Sequence, residues 1–265
     1  MKRAFPILSI SLSLTALLAV ACEEDPKPKP AAPPEKPALV VPVASGAKAE
    51  ADRPKPTQKP KRTAADCPKG ALTFSDKKFE EEIRKKVQKP DGDVMPADIE
   101  KIKSLNLSQA TIDDIDPCVF PHAKNLKELF LGPGELEDLT PLQGLTNLES
   151  LRASINKVRD ITPLLKLEKL DRLDLGRTQI TDIKPVAEMK NLTELAIDDT
   201  QVSDLTPLSK LTKLMRLSVQ RTQVKDFSPL KDMKTLKFLY LAGTPSTDIS
   251  VLQPLKDKGL KVFDQ

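Results

Sequence analysis

Seven aspartates recur in this chain at a near-constant step, and a column of carboxylates is the first place to look for chemistry. Asp114, Asp138, Asp160, Asp182, Asp204, Asp226 and Asp248 stand 22 residues apart, 24 at the first interval. Aligned carboxylates serve metal sites and acid–base pairs. Each of these, however, is followed by Ile, Leu or Phe, then one residue, then Pro in all but the last case. A short polar side chain at such a bend accepts backbone N–H bonds, so the column reads as a structural ladder. Other reactive residues are few. The one histidine, His122, belongs to no Ser-His-Asp or Cys-His arrangement and reads as a surface residue. G-x-S-x-G, H-E-x-x-H, a phosphate loop and C-x-x-C are all missing. No enzyme is expected, and no cofactor or metal. Three cysteines remain to be placed, Cys22, Cys67 and Cys118.

The elements that position these residues follow from the same period. Units start at Ile102, Leu126, Leu148, Leu170, Leu192, Leu214 and Leu236, and Leu170–Val186 reads LDRLDLGRTQITDIKPV. A fixed period of this length means a solenoid, whose units are too small to bury their own apolar faces and must stack. Unit positions 1, 4, 6, 11, 14, 17 and 20 are apolar. The L-x-L stretch alternates with period two, which predicts a short strand in each unit and one parallel sheet lining the inner curve. Thr140-Pro141, Thr162-Pro163, Thr206-Pro207 and Ser228-Pro229 place a hydroxyl before proline. That pairing predicts a hydroxyl-capped helical or 3₁₀ turn on the convex side. Asn156, Thr178, Thr200, Thr222 and Thr244 fill position 9, where the side chain serves the bend below the strand. The fold expected is a repeat solenoid with a concave parallel sheet, convex 3₁₀ turns and a helical N-terminal cap. In the cap, Phe79, Ile83 and Val87 recur at four-residue steps, with acids before bases as the helix dipole favours.

The ends differ from the repeats. Residues 1–21 carry Lys2 and Arg3, then an apolar stretch of about 14 residues, short of the roughly 20 a membrane span needs. They read as an export signal. Residues 22–66 are rich in Pro, Lys and Ala, with too few apolar side chains to offset ordering entropy. Polyproline II geometry gives this tether a reach on the order of 100 Å. The helical cap is placed at 67–101, the repeats at 102–255 and a C-terminal cap at 256–265. Formal net charge is +4, with both signs interspersed, which leaves no basic footprint for nucleic acid. In an exported chain the pair Cys67 and Cys118 points to a disulfide. Cys118 also stands where later units carry Leu or Val, so a buried free thiol is the alternative.

Two resemblances rest on these residues. The 22-residue unit with D-[ILF]-x-P-[LV], preceded by Phe74-x-Asp76-x-x-Phe79-Glu80-x-x-Ile83-Arg84, resembles the internalin-type bacterial leucine-rich-repeat proteins over about residues 72–255. It implies the solenoid and its helical cap, and a protein-binding role without a particular partner. Internalin adhesins usually carry an immunoglobulin-like domain after the repeats; none is read before Gln265, and host-cell invasion is not expected. Leu18-Ala19-Val20-Ala21-Cys22 resembles a bacterial lipobox, with Ala19 where Leu is usual. That resemblance implies acylation of Cys22 and, with Glu23 following, an outer-membrane or cell-surface location. Ala-Val-Ala is also an ordinary signal-peptidase site.

Function is expected on the inner curve, where strand residues between buried leucines face outward. The candidates are Phe130, Arg152, Arg172, Asp174, Arg177, Glu194, Arg216, Arg221, Phe238 and Tyr240. Aromatics and arginines are what interface hot spots favour; alternating charges such as Arg172, Glu194 and Arg216 also keep an exposed sheet soluble by cross-strand pairing. The leading reading is a monomeric, lipid-anchored, non-enzymatic module that binds a protein partner. The alternative is a structural envelope component with a tether touching cell-wall polymer and the solenoid as rigid spacer. The lipobox generates a direct test. Mass spectrometry of the mature protein is expected to find an acylated Cys22, and Cys22→Ala to move the protein to the soluble fraction; an unmodified N-terminal Cys22 contradicts this.

Overall fold

The computed structural model describes residues 62–245 and 248–265. The export signal, Cys22 and the Pro-rich segment to residue 61 lie outside the described residues, as do Ser246 and Thr247.

Each L-x-L stretch forms a strand. These are β1 Ser104–Leu107, β2 Glu128–Leu131, β3 Ser150–Arg152, β4 Arg172–Asp174, β5 Glu194–Ala196, β6 Arg216–Ser218 and β7 Phe238–Tyr240. An eighth, β8 Lys261–Phe263, continues them, and all eight pair in parallel in chain order. Leu105, Leu129, Leu151, Leu173, Leu195, Leu217, Leu239 and Val262 stand in one register line across the sheet. Period-two alternation sends these leucines inward, where they join the position 1, 6, 11, 14, 17 and 20 side chains in one continuous core. Residues 256–265 are therefore more than a cap, since Lys261-Val262-Phe263 adds a strand to the sheet. It escapes the repeat pattern because it lacks L-x-x-L-x-L.

Beyond the strands the ladder goes on. Ile155, Arg177, Asp199 and Arg221 adopt left-handed backbone (φ 61°, 55°, 54° and 52°), and Gly243 follows at 72°. For a non-glycine residue that conformation costs on the order of 1 kcal/mol. It turns the chain while each N–H still donates to the next unit: Ile155 to Gly176 O, Arg177 to Asp198 O, Asp199 to Gln220 O and Arg221 to Ala242 O, all at 2.7–2.8 Å. Below the bend, the hydroxyls of Thr178, Thr200 and Thr222 donate to Leu175, Ile197 and Val219 carbonyls (2.6–2.7 Å). Asn156 does more, donating to Gly132, Ala153 and Ser154 carbonyls and accepting from Leu136 N–H. Between the second and first units the backbones run so close that a Cβ on Gly132 would stand 1.8 Å from Ala110 O; only glycine fits there.

The return path consists of 3₁₀ turns, such as Thr162–Lys166, Lys184–Glu188 and Thr206–Lys210. Those at Thr140, Thr162, Thr206 and Ser228 start at the Thr/Ser-Pro sites, but the hydroxyl does not cap them. The Asp two residues earlier accepts the turn's first N–H, and the hydroxyl is left to donate to that same carboxylate, as Ser228 Oγ does to Asp226 at 2.7 Å. A second ladder runs just before several of the strands. Asn125, Asn147 and Asn191 donate to carbonyls of Glu100, Lys124 and Glu168, and Lys169 and Lys213 reach back to Asn147 and Asn191 (2.6 Å each).

The N-terminal end is closed by α1 Lys77–Val87 and α2 Pro96–Ile99. Asp76 caps α1 by accepting from Phe79 N–H (2.8 Å), and Gln88 ends it in left-handed backbone. The two extra residues of the first unit belong to a segment whose Phe120 ring stacks on Phe79 at 5.5 Å. Residues 62–66 also belong to this end, which therefore starts before residue 67. Arg62 bonds Thr73 and pairs at 3.2 Å with Asp116, a buried carboxylate. Asp116 accepts as well from Ser75 N–H, Ser75 Oγ and Cys118 N–H. Beside it Cys67 and Cys118 form a disulfide across 51 residues. Closing a loop of that size stabilises by about 4 kcal/mol in the chain-entropy model. Replacing both cysteines, Cys67→Ser with Cys118→Ala, is expected to lower unfolding free energy by about that amount. Hydrogen exchange should then speed first in 62–120 and last in the central strands; uniform loss of protection along the chain contradicts this assignment.

Candidate functional site

Two sets of residues compete for function, the Asp column and the outward face of the sheet. In the column, one oxygen of six of the seven aspartates is already committed. Asp138, Asp160, Asp182, Asp204, Asp226 and Asp248 accept the N–H two residues on, at 2.7–2.9 Å. Hydroxyl and then backbone hydrogen bonds from Thr162, Thr206 and Ser228 hold Asp160, Asp204 and Asp226 below the usual carboxylate range. For Asp248 the backbone bond from Ser250 leads. A carboxylate held ionised by turn N–H groups is a poor proton donor or acceptor near neutral pH. Among the described residues no cluster of His, Cys, Asp and Glu is placed to hold a metal ion.

The sheet face is built differently. Its side chains stand in rows across the strands, because parallel pairing in strict register puts equivalent positions side by side. One row runs Ser104, Glu128, Ser150, Arg172, Glu194, Arg216, Phe238, Lys261; the other runs Asn106, Phe130, Arg152, Asp174, Ala196, Ser218, Tyr240, Phe263. Ser150 and Ser218 are buried between larger neighbours, although their positions face outward. Arg152 pairs with Asp174 (3.1 Å) and Arg216 with Glu194 (3.9 Å), while Arg172 turns to Asp171 (3.8 Å). Arg177 and Arg221 both reach Asp199, Arg221 through two bonds of 2.5 and 2.6 Å. Hydrogen bonding from Arg221, ahead of that from Arg177, holds Asp199 below the ordinary carboxylate range. Exposed pairs of this kind contribute at most about 1 kcal/mol each. The charged candidates thus make a cross-strand and loop-to-loop network of their own.

The aromatic candidates do not spread evenly. Phe130 stands alone on β2. Tyr240 meets Phe263 of β8, whose ring stacks on it at 4.6 Å with 10° between planes, and Phe238 stands beside Lys261. The Arg216 guanidinium lies 4.9 Å from the Phe238 centroid and donates to Tyr240 OH at 3.0 Å; Lys261 Nζ lies 5.9 Å from Phe238. Cation and ring attract each other through the ring quadrupole, so this end of the face carries a packed platform of three rings and two cations. Phe263 is 41% exposed, among the largest apolar side chains left open to solvent. From the sequence it is expected in the C-terminal cap, with Leu255, Leu260 and Val262, and not on the sheet face, though K-V-F at 261–263 repeats the outward-inward-outward alternation of F-L-Y at 238–240.

Within this stack of in-register parallel strands and 3₁₀ turns, residues 146–188 match the family model for leucine-rich repeats (two copies). The fold is a leucine-rich-repeat solenoid. An internalin structure from Listeria monocytogenes is similar at 32% identity and TM-score 0.66, over 72% of this chain and 56% of that one. Internalin C2 of the same organism is similar at 28% identity and TM-score 0.59, over 72% of this chain and 94% of that one. A leucine-rich-repeat protein of Leptospira interrogans shares the fold at 20% identity and TM-score 0.51, over 62% of this chain and 49% of that one. The chain thus spans little more than half of the first internalin. No curated protein matches it. In this leucine-rich-repeat protein the Asp column belongs to the frame.

The frame role of the column has a measurable pH signature. A carboxyl whose folded pKa is depressed contributes stability above its unfolded pKa and loses it as pH falls through the folded one. Asp160→Ala is expected to cost about 1 kcal/mol at pH 7, the size of a lost cap. Below pH ~3.8 the difference from the parent should shrink progressively, with or without divalent metal. A melting shift that needs calcium or zinc would reverse the assignment.

Proposed function

We propose that this leucine-rich-repeat protein is a non-enzymatic module that captures a protein partner on the outward face of its sheet, held in the cell envelope by an acylated Cys22. The observation that carries the capture reading is the platform at the β7–β8 end. Phe238, Tyr240 and Phe263 present aromatic surface beside Arg216 and Lys261, the composition that interface hot spots favour. Large rings left half-open on a repeat face reduce solubility, which makes their clustering more informative than the paired charges around them. Similarity to internalin structures supports the same direction. The envelope location rests on the lipobox-like Ala-Val-Ala-Cys junction.

Crosslinking in intact cells with the full-length protein, followed by recovery of the crosslinked species, identifies the partner. Phe238→Ala combined with Tyr240→Ala is expected to weaken its capture by about 2 kcal/mol or more, with circular dichroism unchanged. Full capture by this double variant would move the site away from the platform.

A further inference from the structure

Charge is distributed unequally along one edge of the stack, where the chain passes from each 3₁₀ turn into the next strand. In the central coils this edge is balanced: residues 165–171 and 187–193 hold three lysines against two glutamates and one aspartate. The corresponding stretches further along, residues 209–215, 231–237 and 256–260, hold seven lysines against two aspartates. All seven lysines are exposed. Elsewhere lysines find acids, as Lys127 does Glu149 and Lys190 does Glu188, but among the described residues none of these seven joins an ion pair. Only Lys213 has a polar partner, Asn191 at 2.6 Å. Coiling gathers charges that are mixed along the sequence into one basic corner. An apolar side chain stands within it. Met215 occupies the place before the strand that Glu149, Asp171 and Thr193 hold in earlier coils, and it is 38% exposed. The backbone ladder sets two cations beside it in succession. Lys237 N–H donates to Met215 O (2.8 Å), and Lys261 N–H donates to Lys237 O (2.9 Å).

We propose that this corner docks onto the surface of an anionic phospholipid bilayer. The inference depends neither on acylation of Cys22 nor on protein capture by the sheet face. Residue type decides which class of anion the corner fits. Protein interfaces are enriched in arginine and depleted in lysine. The arginines of this protein's sheet face are engaged by its own acids, Arg152 by Asp174, Arg216 by Glu194 and Arg221 by Asp199. The corner has no arginine. Its cations are point charges on flexible stems, which follow mobile headgroups without a fixed geometry. A cluster of such cations is drawn to the negative potential of an anionic leaflet. Met215 separates a bilayer from a soluble polyanion, because only beneath headgroups does an apolar side chain find hydrocarbon to enter. The lysine stems lie along the same boundary with their ammonium groups in water.

The sequence contains no tryptophan, so Met215→Trp places a single reporter at the corner. Full-length protein carrying it is mixed with vesicles of phosphatidylcholine alone, or of phosphatidylcholine and phosphatidylglycerol in equal parts. Tryptophan emission is expected to shift to the blue on the mixed vesicles only, whereas an acyl chain would attach to both kinds alike. Salt at about 1 M, where the Debye length is near 3 Å, should reverse the shift. Lys234→Glu with Lys237→Glu is expected to raise the lipid concentration needed for the shift at least about tenfold. Lys78→Glu with Lys86→Glu, the same change of charge on the exposed side of α1, should leave it in place; circular dichroism checks that both variants are folded. Because the N-terminal lysines are untouched in each, the comparison reads the corner alone. An equal shift on both kinds of vesicle, no shift on either, or a shift that the corner variant does not weaken overturns the proposal. Binding of inorganic polyphosphate that depends on Lys234 and Lys237, without a blue shift on vesicles, overturns it too and assigns the corner to a soluble polyanion.

Discussion

A 22-residue coil cannot satisfy its own peptide groups. Its strand is three or four residues long and its bends are irregular, so nearly every N–H and C=O must find a partner in the coil above or below. That requirement governs this protein more than any single apolar contact. It explains why the strands keep strict register, why the ladder runs on through the left-handed bend to Gly176, Asp198, Gln220 and Ala242 carbonyls, and why polar side chains appear at fixed places beside the core. Thr178, Thr200 and Thr222 hydroxyls, the Asn156 amide, the pre-strand asparagines and the Asp column each answer for groups the neighbouring coil does not reach. An unpaired buried peptide group costs about 1–3 kcal/mol, which is comparable to what one buried leucine contributes.

The same requirement makes the two ends of the stack special, and they are solved by different means. At the first coil, a helix with Phe79 against Phe120, the Arg62–Asp116 pair and a disulfide cover the exposed core. At the last, the 3₁₀ turn Ser250–Leu252, the helix α3 Gln253–Lys256 and the strand β8 finish the stack with fewer buried side chains. The seventh coil shows the strain of ending. Among the described residues Thr244 Oγ1 is buried without a hydrogen-bond partner, where Thr178, Thr200 and Thr222 each have one. That the aromatic platform lies at this thinner end ties the termination of the fold to its exposed apolar surface.

Much of the frame was readable from the residues. The units, their inward positions, the ladder role of the aspartates and the cap helix followed from periodicity, because burial and backbone pairing impose the same residue type at the same place in every coil. What lacked repetition was harder. Asp116 occupies a slot where later units carry Thr or Ser or Lys, and its task depends on Arg62, more than fifty residues away. The Thr-Pro hydroxyls were expected to cap their turns, yet an aspartate two residues earlier competes better for the same N–H. β8 lacks the leucine signature, so Phe263 reads as part of a C-terminal cap and not as a sheet-face residue. On the sheet face no periodic force acts at all. Which arginine pairs with which acid, as Arg172 with Asp171 in place of Glu194, is decided by side-chain reach and local crowding that a pattern does not encode.

The bond between Cys67 and Cys118 also fixes how this molecule carries a load. Residues 68–117, which include the whole cap helix and the first strand, lie inside a covalently closed ring. Tension arriving along the backbone from residue 62 crosses at Cys67 straight into Cys118 and the coils beyond, and no length of cap chain can be paid out under it. The helix that shields the core is thereby excused from bearing force. A pulled molecule must give way at some other point, and the stack is most lightly closed at its far end.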